Sequence, residues 1–227
     1  MRIWSDPYLW IHAAGLAVVP IALLLCWLGL AVGDPVLPMG LELGLVAIVG
    51  ISPVIWMQLQ KPFYIFSVVA VALKPEKLTD DQRRILTLFK TRTRLVWVGL
   101  GSLFLFLLLR QIYLIAPIAS EFAPLAPSLR VLGLGWAAIA FLASNLFLQI
   151  PLSVIQVLLT PDQQFAATQP YSTEQISQGF SVFGLRVNQL VPPLKAEESP
   201  IATEALSQSI MIRRSPQKQW ASQIRWL

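Results

Sequence analysis

Between Tyr8 and Val32 the chain carries no Asp, Glu, Lys or Arg, and that single run decides the class of fold. At about 1.5 Å of rise per residue, a helix of this length reaches roughly 37 Å, enough to cross a bilayer with some tilt. Further apolar blocks follow at 39–60, 95–116 and 129–159. Composition agrees: 56% of residues are hydrophobic, 13% are charged and mean hydropathy is +0.64, whereas a soluble domain averages about 25% charged residues. These features predict an all-α membrane protein of about four transmembrane helices, spanning 8–32, 39–60, 95–116 and 129–159. An interfacial amphipathic helix and a largely irregular C-terminal tail over 161–227 complete the expected chain.

The connection Lys61–Arg94 orients the spans. It holds Lys61, Lys74, Lys77, Arg83, Arg84, Lys90, Arg92 and Arg94 against Glu76, Asp80 and Asp81, so the positive-inside rule puts it, and with four spans both termini, on the cytoplasmic side. The opposite connections, Gly33-Asp34-Pro35 and Pro117–Ser128, contain no Lys or Arg. A net charge of +5 and a pI near 9.7 are therefore topology signals that also attract anionic lipid, not a nucleic-acid surface. The single cysteine, Cys26, lies in the first block, which rules out a disulfide framework or a thiolate metal cluster.

Smaller signals sharpen this outline. Ala31-Val32-Gly33 resembles a signal-peptidase site, but the first block far exceeds a signal core of about 7–15 residues, so a retained span is expected. Trp4, Tyr8 and Trp10 form an interfacial girdle, and Pro20 should bend the helix. Glu42 reads as a charge capping the second span, and Pro151 should kink the fourth. Arg110 reads as an arginine that snorkels to the interface, with Arg130 at the interface too.

The segment Pro62–Leu73 is too short to cross and reads as interfacial or half-inserted. Thr79 and Gln82 then make a capping box that starts a helix over about Asp80–Lys90. Ile85, Leu86 and Phe89 share one side, while Arg83, Arg84, Lys90 and Arg94 share the other and are candidates for binding anionic headgroups. Within the tail, Phe180–Leu194 should form a small strand-turn element, Lys195–Ser209 should be loose, and Trp220, Ile224 and Leu227 suggest a short basic amphipathic helix.

One polar pattern interrupts the apolar spans. Asn145, Gln149, Ser153 and Gln156 fall on one stripe of the fourth helix, and uncharged amides are unfavourable against lipid. The stripe should therefore face a neighbouring helix, within this chain or in a partner, or line a transport pathway. No P-loop, dinucleotide fingerprint, zinc spacing, HExxH or GxSxG context occurs in the sequence, so no catalytic activity is expected.

Three stretches carry a resemblance: Trp4-Ser5-Asp6-Pro7-Tyr8-Leu9-Trp10-Ile11-His12, then Leu73–Leu86 with Lys74-Pro75-Glu76-Lys77-Leu78-Thr79-Asp80-Asp81-Gln82 at its heart, and Phe141–Pro151. Over about the first 160 residues the chain resembles the cyanobacterial low-complexity tail membrane proteins, a family without an established activity. The resemblance implies a cyanobacterial membrane, thylakoid or plasma. In such a membrane His12, the lone histidine, either bonds backbone or headgroup or ligates a chlorophyll magnesium; a bound chlorophyll or carotenoid is the cofactor this setting would offer. The expected role is a non-enzymatic accessory or assembly protein whose partners are other membrane-complex subunits, photosynthetic ones by location; a small transporter or channel is the alternative.

Overall fold

Asp6 starts the first span. Its Oδ1 accepts from the Tyr8 N–H at 2.9 Å, and Pro7 takes the first helical position, where no backbone N–H is needed. In the computed structural model this span is built from α1 (Pro7–Ala14), a 3-10 turn (Gly15–Ala17) and α2 (Val18–Leu30). The tightened turn lies just before Pro20, which lacks an N–H for the Leu16 carbonyl and crowds it. The structure describes residues 3–68, 70–91, 93–182 and 184–190, with Thr93 described by its backbone alone. The expected loose stretch Lys195–Ser209 and the basic helix near Trp220, Ile224 and Leu227 lie outside the described residues.

The second span is α3 (Met39–Gln60), which continues through Pro53. Beyond it the chain departs from expectation. Pro62–Leu73, expected as an interfacial or half-inserted segment, carries a hairpin of β1 (Ser67–Val68) and β2 (Val71–Leu73), paired antiparallel. Tyr64, Ile65 and Phe66 are fully buried in protein. Helix α4 (Asp80–Phe89) follows with the Thr79–Gln82 capping box formed in both directions.

The third span is α5 (Thr93–Ile115), prolonged by 3-10 turns over Ala116–Phe122 where a plain loop was expected. The fourth is α6 (Arg130–Leu158). All four helices are long and apolar enough to cross a membrane. Side chains such as Ile48, Val131 and Ile139 on their outer faces are exposed, as a lipid-facing surface requires.

The fourth span is the axis of the bundle, the most buried of the four and in contact with the other three. Cys26, Leu30, Val46, Leu105 and Leu109 of the other spans cluster with its own Ala137 and Phe141. Lipid gives apolar side chains no drive to associate, so close backbone approach matters. At Gly29 a Cβ atom would sit 2.8 Å from the Ala137 nitrogen and 2.9 Å from the Gly133 carbonyl oxygen. Only small residues allow the first and fourth spans to cross there.

The tail, expected to be largely irregular apart from a small strand-turn element over Phe180–Leu194, carries two short helices and a strand in its first part. Helices α7 (Asp162–Ala167) and α8 (Thr173–Gly179) bury Phe165 and Ile176, and β3 (Leu185–Val187) adds to β2 in parallel. Gly184, at φ +94°, brings β3 so close to the Ala70 carbonyl that a side chain would collide with it. The result is a cap of mixed helix and sheet, built from 61–91 and 161–190, on one end of a mostly helical bundle. Met1–Leu190 clusters as one unit.

Polar contacts stitch the cap together and to the bundle. Gln82 Nε2 joins cap to bundle by donating to Asp6 Oδ2 at 3.2 Å, while Thr87 Oγ1 donating to the Gln169 carbonyl at 2.8 Å and Ser181 Oγ donating to the Lys61 carbonyl at 2.7 Å tie the two stretches of the cap to each other. An edge-to-face aromatic series runs from Tyr8 through Phe66, Tyr64 and Phe180 to Tyr171. Burial pushes the Asp6 carboxyl above its ordinary range, although the Gln82 amide and the Tyr8 and Leu9 N–H groups oppose the shift.

Candidate functional site

The polar groups inside the spans form three separate constellations. The first closes the end of the bundle opposite the cap. Glu42, in the first turn of α3, and Arg130, at the start of α6, form a salt bridge with side chains 0% and 6% exposed. Glu42 Oε1 also accepts from the N–H groups of Val36 at 3.0 Å and Leu37 at 3.3 Å, and Oε2 accepts from the Tyr113 hydroxyl at 2.9 Å. Arg130 Nη1 donates to the carbonyls of Leu30 at 2.5 Å and Val32 at 3.1 Å.

Every span therefore contributes: the first through its last carbonyls, the second through Glu42, the third through Tyr113 and the fourth through Arg130. Glu42 is more than a capping charge, and Arg130 is buried instead of resting at an interface. Both carboxylate oxygens are engaged by donors, so the pair acts as a clamp. The signal available in the sequence was one acid and one base at the same end of nearly charge-free spans. Nothing in the sequence marked Tyr113.

The second constellation is the stripe on α6, and it joins three helices. Asn145 Nδ2 donates to the Gly50 carbonyl of the second span at 3.0 Å. Gln149 Nε2 reaches the Val98 carbonyl at 3.1 Å and Ser102 Oγ at 3.0 Å on the third span. Asn145 Oδ1 lies 3.3 Å from the same Gln149 nitrogen. Ser153 instead bonds back to the Gln149 carbonyl of its own helix at 2.9 Å, and Gln156 Nε2 approaches Thr91 Oγ1 at 3.4 Å near the cap. The stripe is split between interhelical bonds and local ones.

The four basic residues expected on the surface helix separate. Arg94 is buried, donating to the Phe89 carbonyl at 2.9 Å and the Gln58 carbonyl at 2.6 Å, and this corrects its assignment to lipid headgroups. It ties the C-terminal ends of α4 and α3 together. Arg83 pairs with Asp80 and donates to Thr173 Oγ1 at 3.3 Å, and Arg84 pairs with Asp81 at 2.9 Å. The Lys90 ammonium donates to the Tyr171 hydroxyl at 2.9 Å and lies over the Tyr171 and Phe180 rings. The opposite side of α4, with Ile85, Leu86, Leu88 and Phe89, is covered by protein where lipid was expected.

His12 lines the third constellation, a cavity of about 350 Å³ between the first span, the hairpin and the fourth span. Its ring packs on Phe63 with centroids 5.4 Å apart, and Nε2 is buried without a hydrogen-bond partner. A covered Nε2 offers no coordination position, so this arrangement does not fit axial ligation of a chlorophyll magnesium. Arg110 is exposed on α5. No group of three or more His, Cys, Asp or Glu placed to hold a metal occurs among the described residues.

Four apolar spans around a buried ion pair and amide bonds define a polytopic helical membrane protein. A family model for low-complexity tail membrane protein-like proteins matches residues 5–192, and the chain belongs to that family. The match runs past the fourth span and past β3, so the family unit includes the cap. No curated protein and no solved structure matches the chain.

Proposed function

We propose that this chain is a non-enzymatic accessory or assembly protein of membrane complexes, seated in the thylakoid or plasma membrane of a cyanobacterium with its cap and both termini on the cytoplasmic side. The orientation rests on the basic connection Lys61–Arg94, and the photosynthetic setting on the family resemblance alone. One observation carries the role: the cap is a folded platform assembled from two distant stretches, 61–91 and 161–190, joined to each other by β2–β3 pairing and the Ser181–Lys61 bond and to the bundle by the Gln82–Asp6 bond. Such a platform presents a fixed surface to other subunits. The interhelical bonds of Asn145 and Gln149 support the same reading, because they engage the polar stripe in holding helices together.

The test is native-gel and mass-spectrometric analysis of the tagged protein from gently solubilised membranes of its source. Co-migration with defined membrane-complex subunits, lost when exposed cap residues such as Lys77 and Arg186 are reversed in charge, is the expected result. A monodisperse chain without partners that moves solute in proteoliposomes would replace this reading with the transporter. Labelling of single cysteines at Lys77 and Asp34 in sealed vesicles tests the orientation, which is wrong if Asp34 is the cytoplasmic one.

A further inference from the structure

We propose that the cavity beside His12 is a seat for one acyl chain of a bilayer phospholipid. Its volume of about 350 Å³ falls at the lower end of ligand-binding cavities, roughly 300–1,000 Å³. Ile11, His12 and Gly15 of the first span, Phe63 and Val68 of the hairpin and Phe147 of the fourth span line it.

The wall has two side chains with polar groups, and neither turns one toward an occupant. The Ser67 hydroxyl donates to the Tyr64 carbonyl at 2.7 Å, and the His12 Nε2 is buried. What an occupant meets is therefore largely hydrocarbon, which selects a chain and disfavours a headgroup, an ion or a metal-centred ring. The rim identifies the source. Ile11 and Phe147 are 41% and 37% exposed, and beside them Leu16 is 41% exposed, so the cavity opens onto the same apolar surface the spans present to lipid.

Depth agrees as well. Pro7 begins the first span, so His12 and Gly15 lie roughly 8 and 12 Å along it, at about 1.5 Å per residue. That is the level at which acyl chains begin below the headgroups. Gly15 keeps the path open: a Cβ there would already touch Phe147 Cδ1 at 3.3 Å.

The full-length protein in dodecyl maltoside micelles is titrated with phosphatidylglycerol carrying a diazirine on one acyl chain, then irradiated and mapped by peptide mass spectrometry. Labelling at Leu146–Pro151 should saturate and be competed by unlabelled phospholipid. Val68→Phe and, independently, Gly15→Leu should abolish it, while Ile139→Phe, on an exposed outer face, should leave it unchanged. Labelling of the wild-type protein that never saturates overturns the proposal, whatever the variants do. So does saturable labelling that persists in a folded Val68→Phe or Gly15→Leu protein. Release of a pigment or isoprenoid in place of phospholipid from protein purified from its own membrane also overturns it.

Discussion

Glu42 and Arg130 stand 88 positions apart in the chain and meet as a buried ion pair that touches all four spans through its hydrogen bonds. Removing either charge leaves the other buried and uncompensated. Glu42→Ala or Arg130→Ala should each cost about 3–5 kcal/mol of stability. The double variant Glu42→Leu with Arg130→Met should lie closer to the wild type than either single change. Unfolding in detergent or by steric trapping measures this, and additive losses would contradict a clamp.

The first and fourth spans cross at Gly29 and Gly133, where an added Cβ finds backbone within 3 Å. Gly29→Leu or Gly133→Leu should destabilise the bundle by about 1–3 kcal/mol or more. Gly40 and Gly135, where a Cβ would meet nothing, should accept Ala without loss. Equal melting temperatures for the crossing and open positions would show that the crossing is not close.

Asn145 and Gln149 each bond a different neighbouring helix. Replacing one with Leu should cost about 0.6–1.7 kcal/mol, from the average to the maximum found for polar contacts between membrane helices. A mutant cycle should show coupling between the two, since their side chains also approach one another at 3.3 Å.

Asp6 gives the protein a pH dependence at its cap. Burial raises its carboxyl above the ordinary value of 3.8, so the folded state holds the proton more tightly than the unfolded chain. Its contribution to stability is complete below the unfolded value and declines as pH rises through the folded one. Asp6→Asn lacks this titration. The melting temperature of the variant relative to wild type should rise with pH across that window and be level above it; a constant difference would remove the assignment.

How much of this was legible in the sequence varies with the residues. The spans were plain because length and apolarity suffice to mark them, and Thr79 with Gln82 announced the start of α4. The hairpin within Pro62–Leu73 was not legible, because hydropathy does not say whether an apolar side chain is buried in lipid or in protein. Strands β1 and β2 are too short to show a period, and β2 finds its second neighbour at Leu185–Val187, more than 100 residues later. Arg94 shared a helical face with exposed bases, but its burial depends on the distant Gln58 carbonyl. Glu42 and Arg130 each made sense alone as interfacial charges, and only tertiary structure pairs them.

The parallel pairing of β2 with β3 also imposes an order on biosynthesis. The strand that completes the sheet is made only after the fourth span. During translation the hairpin therefore waits, with one strand edge open and the buried surface of Tyr64, Ile65 and Phe66 not yet fully covered, until residue 187 has left the ribosome. An open edge beside apolar surface invites mispairing. A chain truncated before β3 should be a substrate for chaperones and membrane proteases, because the cap can close only after all four spans have been synthesised.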